Sequence, residues 1–490
     1  MKTLKHILIA LLIPISLSAQ DEITMTMEDC IKLASEQSLD AFLTKNMYLA
    51  KYWDYRSYKA SRLPSLHLNT TPLDYYNGIA QVWDSNTGTY VTTQTQSLNT
   101  SAAIKLQQRV GLTGGTISVT TGNEFLNNFT SDNTFTSNPL SISYSQNLNG
   151  FNSLKWRSRI DPEKYESAKQ TYIQARETLS ISAIKYFFEL INSQIDLDIS
   201  KRNLDNAEEL FKIGQGRFEV GTIKQDELLT LELGLYNSQL AKIRAEQDLL
   251  RARIDLNIFL NIDKNTIINC VIPKEIPGIE INMADAITQA MQNNATLTNL
   301  HIRELQSERE VSQAKADNRF TSSLNMSYGL NGNDSDFANS YQNLGQRQSV
   351  NLGFNIPIVD WGEGKGAIAV AQSNLEVERI EVQQEKIAFE QDVSVNVLEF
   401  NLQKAQVENS AKADTIAQKG YDISYEIFKL GKLDVINLNQ ARNDQVSARK
   451  AYITSLKNYW TYWYLIRQQT LFDFINGVTL SEDFDALINQ

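Results

Sequence analysis

Two stretches of the chain repeat one long alternation of apolar and polar positions. Each opens on an aromatic, a charged, an aliphatic and a glycine residue: Phe218-Glu219-Val220-Gly221 and Phe428-Lys429-Leu430-Gly431, 210 residues apart. Each then continues as a long amphipathic run, to Leu260 and to Thr470. In the second run Ala441, Ala448, Ser455 and Tyr462 recur every seven residues, and Gln445, Tyr452, Tyr459 and Ile466 fill the alternate seam. The first run has Leu231, Ser238, Ala245 and Ala252, alternating with Leu235, Lys242, Leu249 and Leu256. A four-three alternation over four heptads predicts helices packed along a coiled-coil-like face. The small residues on that face predict close approach. Each glycine turn therefore joins two long antiparallel helices, and the chain does this twice.

Other segments return in the same order. Thr24-Met25-Thr26-Met27-Glu28-Asp29 reads as a capped helix start, with Met27, Ile31 and Ala34 as its apolar face. The phrase returns around Ile281-Asn282-Met283-Ala284-Asp285. The first helical region runs through Arg62 to Pro64, and its counterpart ends near Arg319. The period then changes to two, which predicts strands. Leu66 and Leu68, Leu140, Ile142 and Tyr144, Leu324, Met326 and Tyr328, and Val350, Leu352, Phe354 and Ile356 alternate with polar, mostly uncharged residues. Such alternation suits a strand between lipid and a watery lumen, and equally a half-exposed soluble sheet. Stretches 75–98, 127–138 and 329–347 read as polar loops. Glycines around Gly111–Gly115 mark a hairpin peculiar to the first half. A helix from Pro162 to about Gly214–Gly216 would be roughly 75–80 Å long, and its counterpart runs from about Gly366 to Leu430.

The expected organisation is a leader at 1–19; a first repeat at 20–262, with strands at about 65–148 and a helical hairpin at about 161–262; a linker at 263–280; a second repeat at 281–470, with strands at about 322–358 and a hairpin at about 363–470; and a tail at 471–490. In the leader, Lys2 and Lys5 precede the apolar run Ile7 to Ile15, and Ser18-Ala19 form a small-residue cleavage site. The leader predicts export. No later stretch is apolar and long enough for a membrane-spanning helix, so the membrane-compatible segments are the strands.

Composition then excludes several classes. The net charge is −11, without basic clusters, which argues against a nucleic-acid partner. The three histidines, His6, His67 and His301, are scattered, so no metal or histidine-based catalytic cluster is expected. Nor is there a phosphate-binding glycine loop, and the expectation is a protein without cofactor, metal or catalytic residues. Cys30 and Cys270 are isolated; they are able to pair in an oxidising compartment or to stay as small buried thiols.

The leader, the doubled order of helix, strands and long helical hairpin, and the aromatic-x-x-Gly tips together resemble the TolC-type outer-membrane efflux proteins. The resemblance rests on the Met-x-x-Asp-type opening, Arg62-Leu63-Pro64-Ser65, the strand ending Ile356-Pro357-Ile358, and the tips RFEVGTIKQDELL and IFKLGKLDVINL. It covers nearly the whole chain after the leader. It implies a mixed, mainly α fold with β: a homotrimer whose strands share one outer-membrane β-barrel, continued by a periplasmic α-helical barrel. A periplasmic adaptor of the membrane-fusion type and an inner-membrane transporter are the implied partners, with outer-membrane lipid around the strands. Acidic residues after the tip glycine would ring the constricted aperture. The matching gate positions are Asp226 and Glu227 in the first repeat and Asp434 and Asn437 in the second. The adaptor would touch Val220, Gly221 and Thr222, and Leu430, Gly431 and Lys432. The second tip departs from the family pattern in carrying a lysine. Phe151, Trp156 and Trp361, at strand ends, suit an aromatic membrane-interface belt or ordinary packing under a helix start.

The implied function is a passive exit duct for a tripartite efflux or type I secretion system, gated at its periplasmic tip. Crowded carboxylates at such a gate would favour bound cations, and Arg217, Arg442 and Lys432 stand near enough in sequence to form ion pairs there. A periplasmic coiled-coil adaptor or scaffold without a pore is the alternative. It explains the helices but leaves the doubled strands without a role. A porin or secretion duct without a pump differs only in partners. The first repeat has room for four strand segments and the second for two, which leaves twelve or eighteen strands for a trimer.

Overall fold

The computed structural model describes residues 22–84, 87–129, 133–273 and 275–489. The expected leader lies outside them. The chain opens with β1 (Glu22–Met25), α1 (Met27–Gln37) and α2 (Leu39–Ala60). Thr26 caps α1: its hydroxyl accepts from the Asp29 N–H at 3.1 Å, and the Asp29 carboxylate accepts from the Thr26 N–H at 3.3 Å. This reciprocal pair satisfies two backbone donors that the first turn would otherwise leave free. The buried face of α1 is Met27, Cys30 and Ala34, at helical spacing.

Four strands follow: β2 (Ser65–Asp84), β3 (Thr89–Arg109), β4 (Thr116–Asn128) and β5 (Thr134–Asn147). Then come α3 (Ser153–Glu219), α4 (Gln225–Phe259) and the short β6 (Ile267–Cys270). The second half contributes α5 (Met283–Asn293), α6 (Ala295–Asp317), β7 (Thr321–Asp334), β8 (Gly345–Asn355), α7 (Glu363–Lys429) and α8 (Val435–Thr470). Early elements of the halves are related by 256 residues (Met27 to Met283), later ones by 210 (Ser153 to Glu363). The 46-residue difference accommodates the β3–β4 hairpin, which has no counterpart in the second half.

Several boundaries differ from the pattern-based expectation. α3 begins at Ser153, so Pro162 lies inside the helix and costs it one backbone hydrogen bond instead of starting it. α3 also runs through Gly214 and Gly216 to Glu219. A Cβ at Gly214 would lie 2.5 Å from Leu231 Cδ1, so that glycine serves close helix packing and not a turn. The expected polar loop at 75–98 is mostly strand: β2 and β3 pair from Ser65↔Gln107 to Asp84↔Thr89, with a register shift between Thr71 and Asp74. Backbone pairing needs no apolar side chains, so Thr, Gln and Asn carry the ladder where periodicity is weak. Likewise β4 reaches Asn128, β5 starts at Thr134, and β7 and β8 take the two ends of 329–347. The linker holds β6, which pairs in parallel with β1. The tail is structured by a two-residue strand pair (Phe472–Asp473 with Val478–Thr479) and a helix, Phe484–Asn489.

The chain forms two compact units. One comprises Met1–Asn46, Tyr172–Asn293 and Gln391–Gln490. Its core is aromatic and aliphatic, with Phe187, Phe188, Leu190 and Ile191 of α3, Val397 and Phe400 of α7, and Leu456, Tyr459 and Ile466 of α8. A buried charge cluster lies beside it. Arg467 donates to both Glu177 oxygens at 2.9 and 3.1 Å and to Asp473 at 2.9 Å. Cys30 is buried in this unit, and both cysteines are free thiols. Burial pushes the Cys30 thiol up to about 12.

The other unit comprises Met47–Thr171 and Asn294–Glu390. It holds one six-stranded antiparallel sheet in the order β2-β3-β4-β5-β7-β8. The hairpin turning at Gly111–Gly115 is therefore an integral, central part of the sheet. Its turn is closed by Val110 N–H to Gly115 O and Gly114 N–H to Val110 O, both 2.8 Å, with Gly114 at φ 80°. Helical packing in this unit includes the Ile160, Ile302 and Leu305 cluster.

Candidate functional site

The two helical tips have the same backbone. At the first, the Gly221 N–H bonds to Phe218 O and the Thr222 N–H to Arg217 O, both 2.9 Å. At the second, the Gly431 N–H bonds to Phe428 O at 2.8 Å and the Lys432 N–H to Ile427 O at 3.2 Å. These paired bonds satisfy the last helical carbonyls and require a left-handed residue. Gly221 and Gly431 supply it, at φ 75° and 72°. The glycine in each aromatic-x-x-Gly phrase is thus a helix stop. The residue before it is thrust into solvent: Val220 is 73% exposed and Leu430 72%.

The return helices begin differently. Asp434 caps α8, accepting from the Asn437 N–H at 2.8 Å and from the Asn437 amide nitrogen at 2.7 Å. The equivalent N-cap of α4 is Lys224, which makes no side-chain cap. Asp226 and Asp434 are therefore not structurally equivalent, because Asp226 sits in the first turn of α4, as Ile436 does in α8. Glu227 and Asn437 share the third position. All four gate candidates are exposed. Acidic side chains in the first turn face the positive end of the helix dipole, which suffices locally for Asp226 and Glu227.

Of the three basic residues placed near the gate, only Arg217 holds the tips together. It does so through carbonyls and not carboxylates. Its guanidinium donates to Phe428 O at 3.3 Å and Lys429 O at 3.0 Å, and lies 5.7 Å from the Phe428 ring centre. It thereby caps the negative end of α7. Among the described residues Arg442 and Lys432 form no ion pair.

A tie the sequence pattern did not reveal lies just above. The Tyr425 hydroxyl donates to Glu209, and Lys429 reaches the same carboxylate at 3.3 Å. Chiefly the Tyr425 hydrogen bond, then Lys429, hold the Glu209 carboxyl below its usual range. Beneath it Leu231, Tyr421, Phe428 and Leu438 form a small core, flanked by Leu210 and Phe211. The only sequence signal was the four-residue spacing of Tyr421 and Tyr425. α4 also carries a second stripe, Leu229, Leu233, Tyr236, Leu240, Ile243 and Leu250, each more than half exposed. Its four-three spacing is that of a coiled-coil seam, one face round from the buried Leu231, Ser238 and Ala245.

In the sheet unit, cross-strand register sorts side chains onto two faces. One row reads Leu66, Leu106, Val119, Ile142, Tyr328, Gln348; its neighbours pair Leu68 with Ile104, and Ile117, Tyr144, Met326 and Val350 in series. The opposite face carries Ser65, Gln107, Ser118, Ser143, Ser327 and Ser349 in one row. Serine pairs bridge the strands there, Ser118 to Ser143 and Ser327 to Ser349, both at 2.7 Å. The β3–β4 insert obeys the same division as its neighbours. Many apolar-face residues are exposed, among them Leu66, Leu68, Val350, Leu352 and Phe354.

The three aromatic belt candidates divide. Trp361 is 96% exposed at φ 52°, in the exposed loop Ile356–Trp361, apolar but for Asp360. Phe151 is half-buried. Trp156 packs against the Ile160 cluster with the Arg159 guanidinium 4.8 Å over its ring, so for it ordinary helix packing accounts for the position. Among the described residues, no helix is long and apolar enough to cross a membrane.

The model of one protein family, Outer membrane efflux protein, matches residues 97–261 and 286–468, well over half the chain. The fold is similar to that of the Campylobacter jejuni CmeC outer membrane channel, with TM-score 0.65 and 15% identity over 94% of this chain and 88% of that one. It is similar to the outer membrane protein VceC from Vibrio cholerae, with TM-score 0.62 and 10% identity over 91% of this chain and 95% of that one. The Neisseria gonorrhoeae MtrE outer membrane channel matches with TM-score 0.59 and 14% identity over 91% and 88%. No curated protein matches the chain in sequence.

Proposed function

This chain belongs to the outer membrane efflux protein family, and from that premise we propose that three copies close one conduit, with the sheets as its membrane wall. It is an outer-membrane efflux channel, and its family is one of transport conduits. A pore-less adaptor is not favoured. The observation that carries the trimeric reading is the two-faced sheet with unpaired edges. Among the described residues β2 and β8 each pair on one side only. Exposed ladder edges invite further pairing, and with six strands alternating in direction, β8 of one copy meets β2 of the next antiparallel. Three copies then contribute eighteen strands, with the apolar face to lipid and the serine-rich face to water. The exposed α4 stripe supports the same reading, since a neighbouring copy would cover it.

The helical tips are the docking end. Val220, Gly221 and Thr222 with Leu430, Gly431 and Lys432 present bare aliphatic side chains on rigid turns, suited to a periplasmic adaptor that links the duct to an inner-membrane transporter. Asp226, Glu227, Asp434 and Asn437 form the gate, its carboxylates favouring cations. The Arg217 and Glu209–Tyr425–Lys429 ties hold its two hairpins together. Such a duct works by shape and charge and requires no cofactor.

The test is the mass of the particle extracted from outer membranes, corrected for bound detergent. Three chains are expected; a soluble periplasmic monomer overturns the conduit. For the gate, the double variant Asp226→Ala/Asp434→Ala should lose block by multivalent cations in a planar bilayer. Undiminished block removes these residues from it.

A further inference from the structure

The polar face of the sheet carries an unexplained pattern of charge. One register row runs His67, Lys105, Thr120, Ser141, Gly329, Arg347 across all six strands. Arg109 stands on the same face of β3, four residues from Lys105, or roughly 13 Å along the strand. None of the Lys105, Arg109 and Arg347 side chains enters an ion pair or hydrogen bond among the described residues. This contrasts with the helices, where Arg303 alone meets Glu378, Glu381 and Glu385. Arg109 and Arg347 are exposed and Lys105 is half-buried.

The nearest acids on that face are two and three rows further along. Glu124 pairs in register with Ser101 and accepts from the Asn99 amide at 2.8 Å, and Asp74 pairs with Asn99. At roughly 7 Å between same-face rows, Glu124 lies more than a physiological Debye length, about 8 Å, from the Lys105 row. It does not neutralise that row. In an acidic chain of net charge −11, an uncompensated basic row facing water is a specific placement. One of its cations, Lys105, stands on the inserted hairpin itself, with Arg109 two same-face rows away on the same strand.

We infer that this row, to which the β3–β4 insert contributes Lys105 and β8 contributes Arg347, is an anion-binding band on the inner wall of the barrel that holds multiply anionic solutes at that level of the duct. The inference rests on the trimeric reading above. Closing the barrel repeats Lys105 and Arg347 three times around one lumen. Like charges on a low-dielectric wall focus their field into the enclosed water and raise the local concentration of counter-ions. The serine and threonine hydroxyls that complete the row donate hydrogen bonds to an oxyanion. An anion with several charges spaced along its length spans more than one cation, where chloride meets only one.

The experiment uses the full chain extracted in mild detergent at low ionic strength, with inorganic tripolyphosphate as the probe. Calorimetric titration should show saturable binding. The variant Lys105→Gln/Arg347→Gln should weaken it at least about tenfold, the loss expected from two charge contacts. Both residues face water, so the substitutions keep a polar, hydrogen-bonding wall; an unchanged trimer mass checks that the barrel persists. Lys432→Gln, at the tip, should leave binding unaltered. Equal binding by the double variant and the native trimer overturns the band while the conduit stands. A monomeric native particle overturns the conduit, and the band with it.

Discussion

The two helical tips share a backbone and differ in nearly every side chain that finishes them. Both stop on a left-handed glycine with the same pair of closing hydrogen bonds. Yet a Cβ at Gly221 would meet nothing within 4 Å, whereas one at Gly431 would lie 3.2 Å from the Arg217 guanidinium. The second turn restarts on a capping aspartate, and the first on an uncapped lysine. Arg217 of the first hairpin caps the helix of the second. The second tip is thus locked from several sides and the first is comparatively free. Gating by movement would begin at the first.

Breaking this asymmetry should produce graded effects, each read by amide hydrogen exchange at the tips and by the thermal midpoint of the detergent-extracted protein. Gly431→Ala should be the most damaging. It forces an L residue into a left-handed turn at about 1–2 kcal/mol and pushes on Arg217 as well, so Gly221→Ala should cost less. Equal losses would show that Arg217 does not discriminate the turns. Next comes Arg217→Ala, which leaves two α7 carbonyls without their charged donor and should cost about 1–2 kcal/mol, with faster exchange at the end of α7. Asp434→Ala removes a helix cap and should cost about 1 kcal/mol. Asp226→Ala should cost little, because Asp226 caps nothing. The converse change, Lys224→Asp, builds the missing cap and should slow exchange in the first turn of α4.

The smallest effect is a pH dependence. Glu209 has a folded-state carboxyl held below the ordinary glutamate range, first by Tyr425 and then by Lys429. The tie is therefore complete above the ordinary value, near 4.3, and is lost as pH falls through the lowered folded value. Exchange at the tip should rise over that acid window in the native protein, and the rise should be blunted in Tyr425→Phe. A profile identical in both would detach Glu209 from the lock.

The strands were legible where one face is apolar, as at Val350, Leu352 and Phe354. They leave no periodic trace where both faces are polar, as across residues 92–97 in β3, since backbone pairing there needs no apolar side chains. The tip glycines were legible because only a left-handed stop explains them. The resemblance offers both Asp226 and Asp434 as gate positions; the structure puts Asp434 at a helix cap and Asp226 within the first turn, because the repeat aligns Asp434 with Lys224.

The sequence by itself determined the doubled order of elements, the heptad seams, the glycine stops and the alternation of the main strands. These follow from local periodicity and backbone sterics, which each segment carries alone. Only the tertiary structure decided that the β3–β4 hairpin lies in the middle of one six-stranded sheet, and that Lys105 and Arg347 share a row. It also decided that Arg217 closes the other hairpin and that Glu209 meets Tyr425 and Lys429. Packing brings together residues as much as 290 positions apart, as with Arg467 and Glu177, and register sets Lys105 and Arg347, 242 apart, in one row. No local pattern encodes which of them will meet.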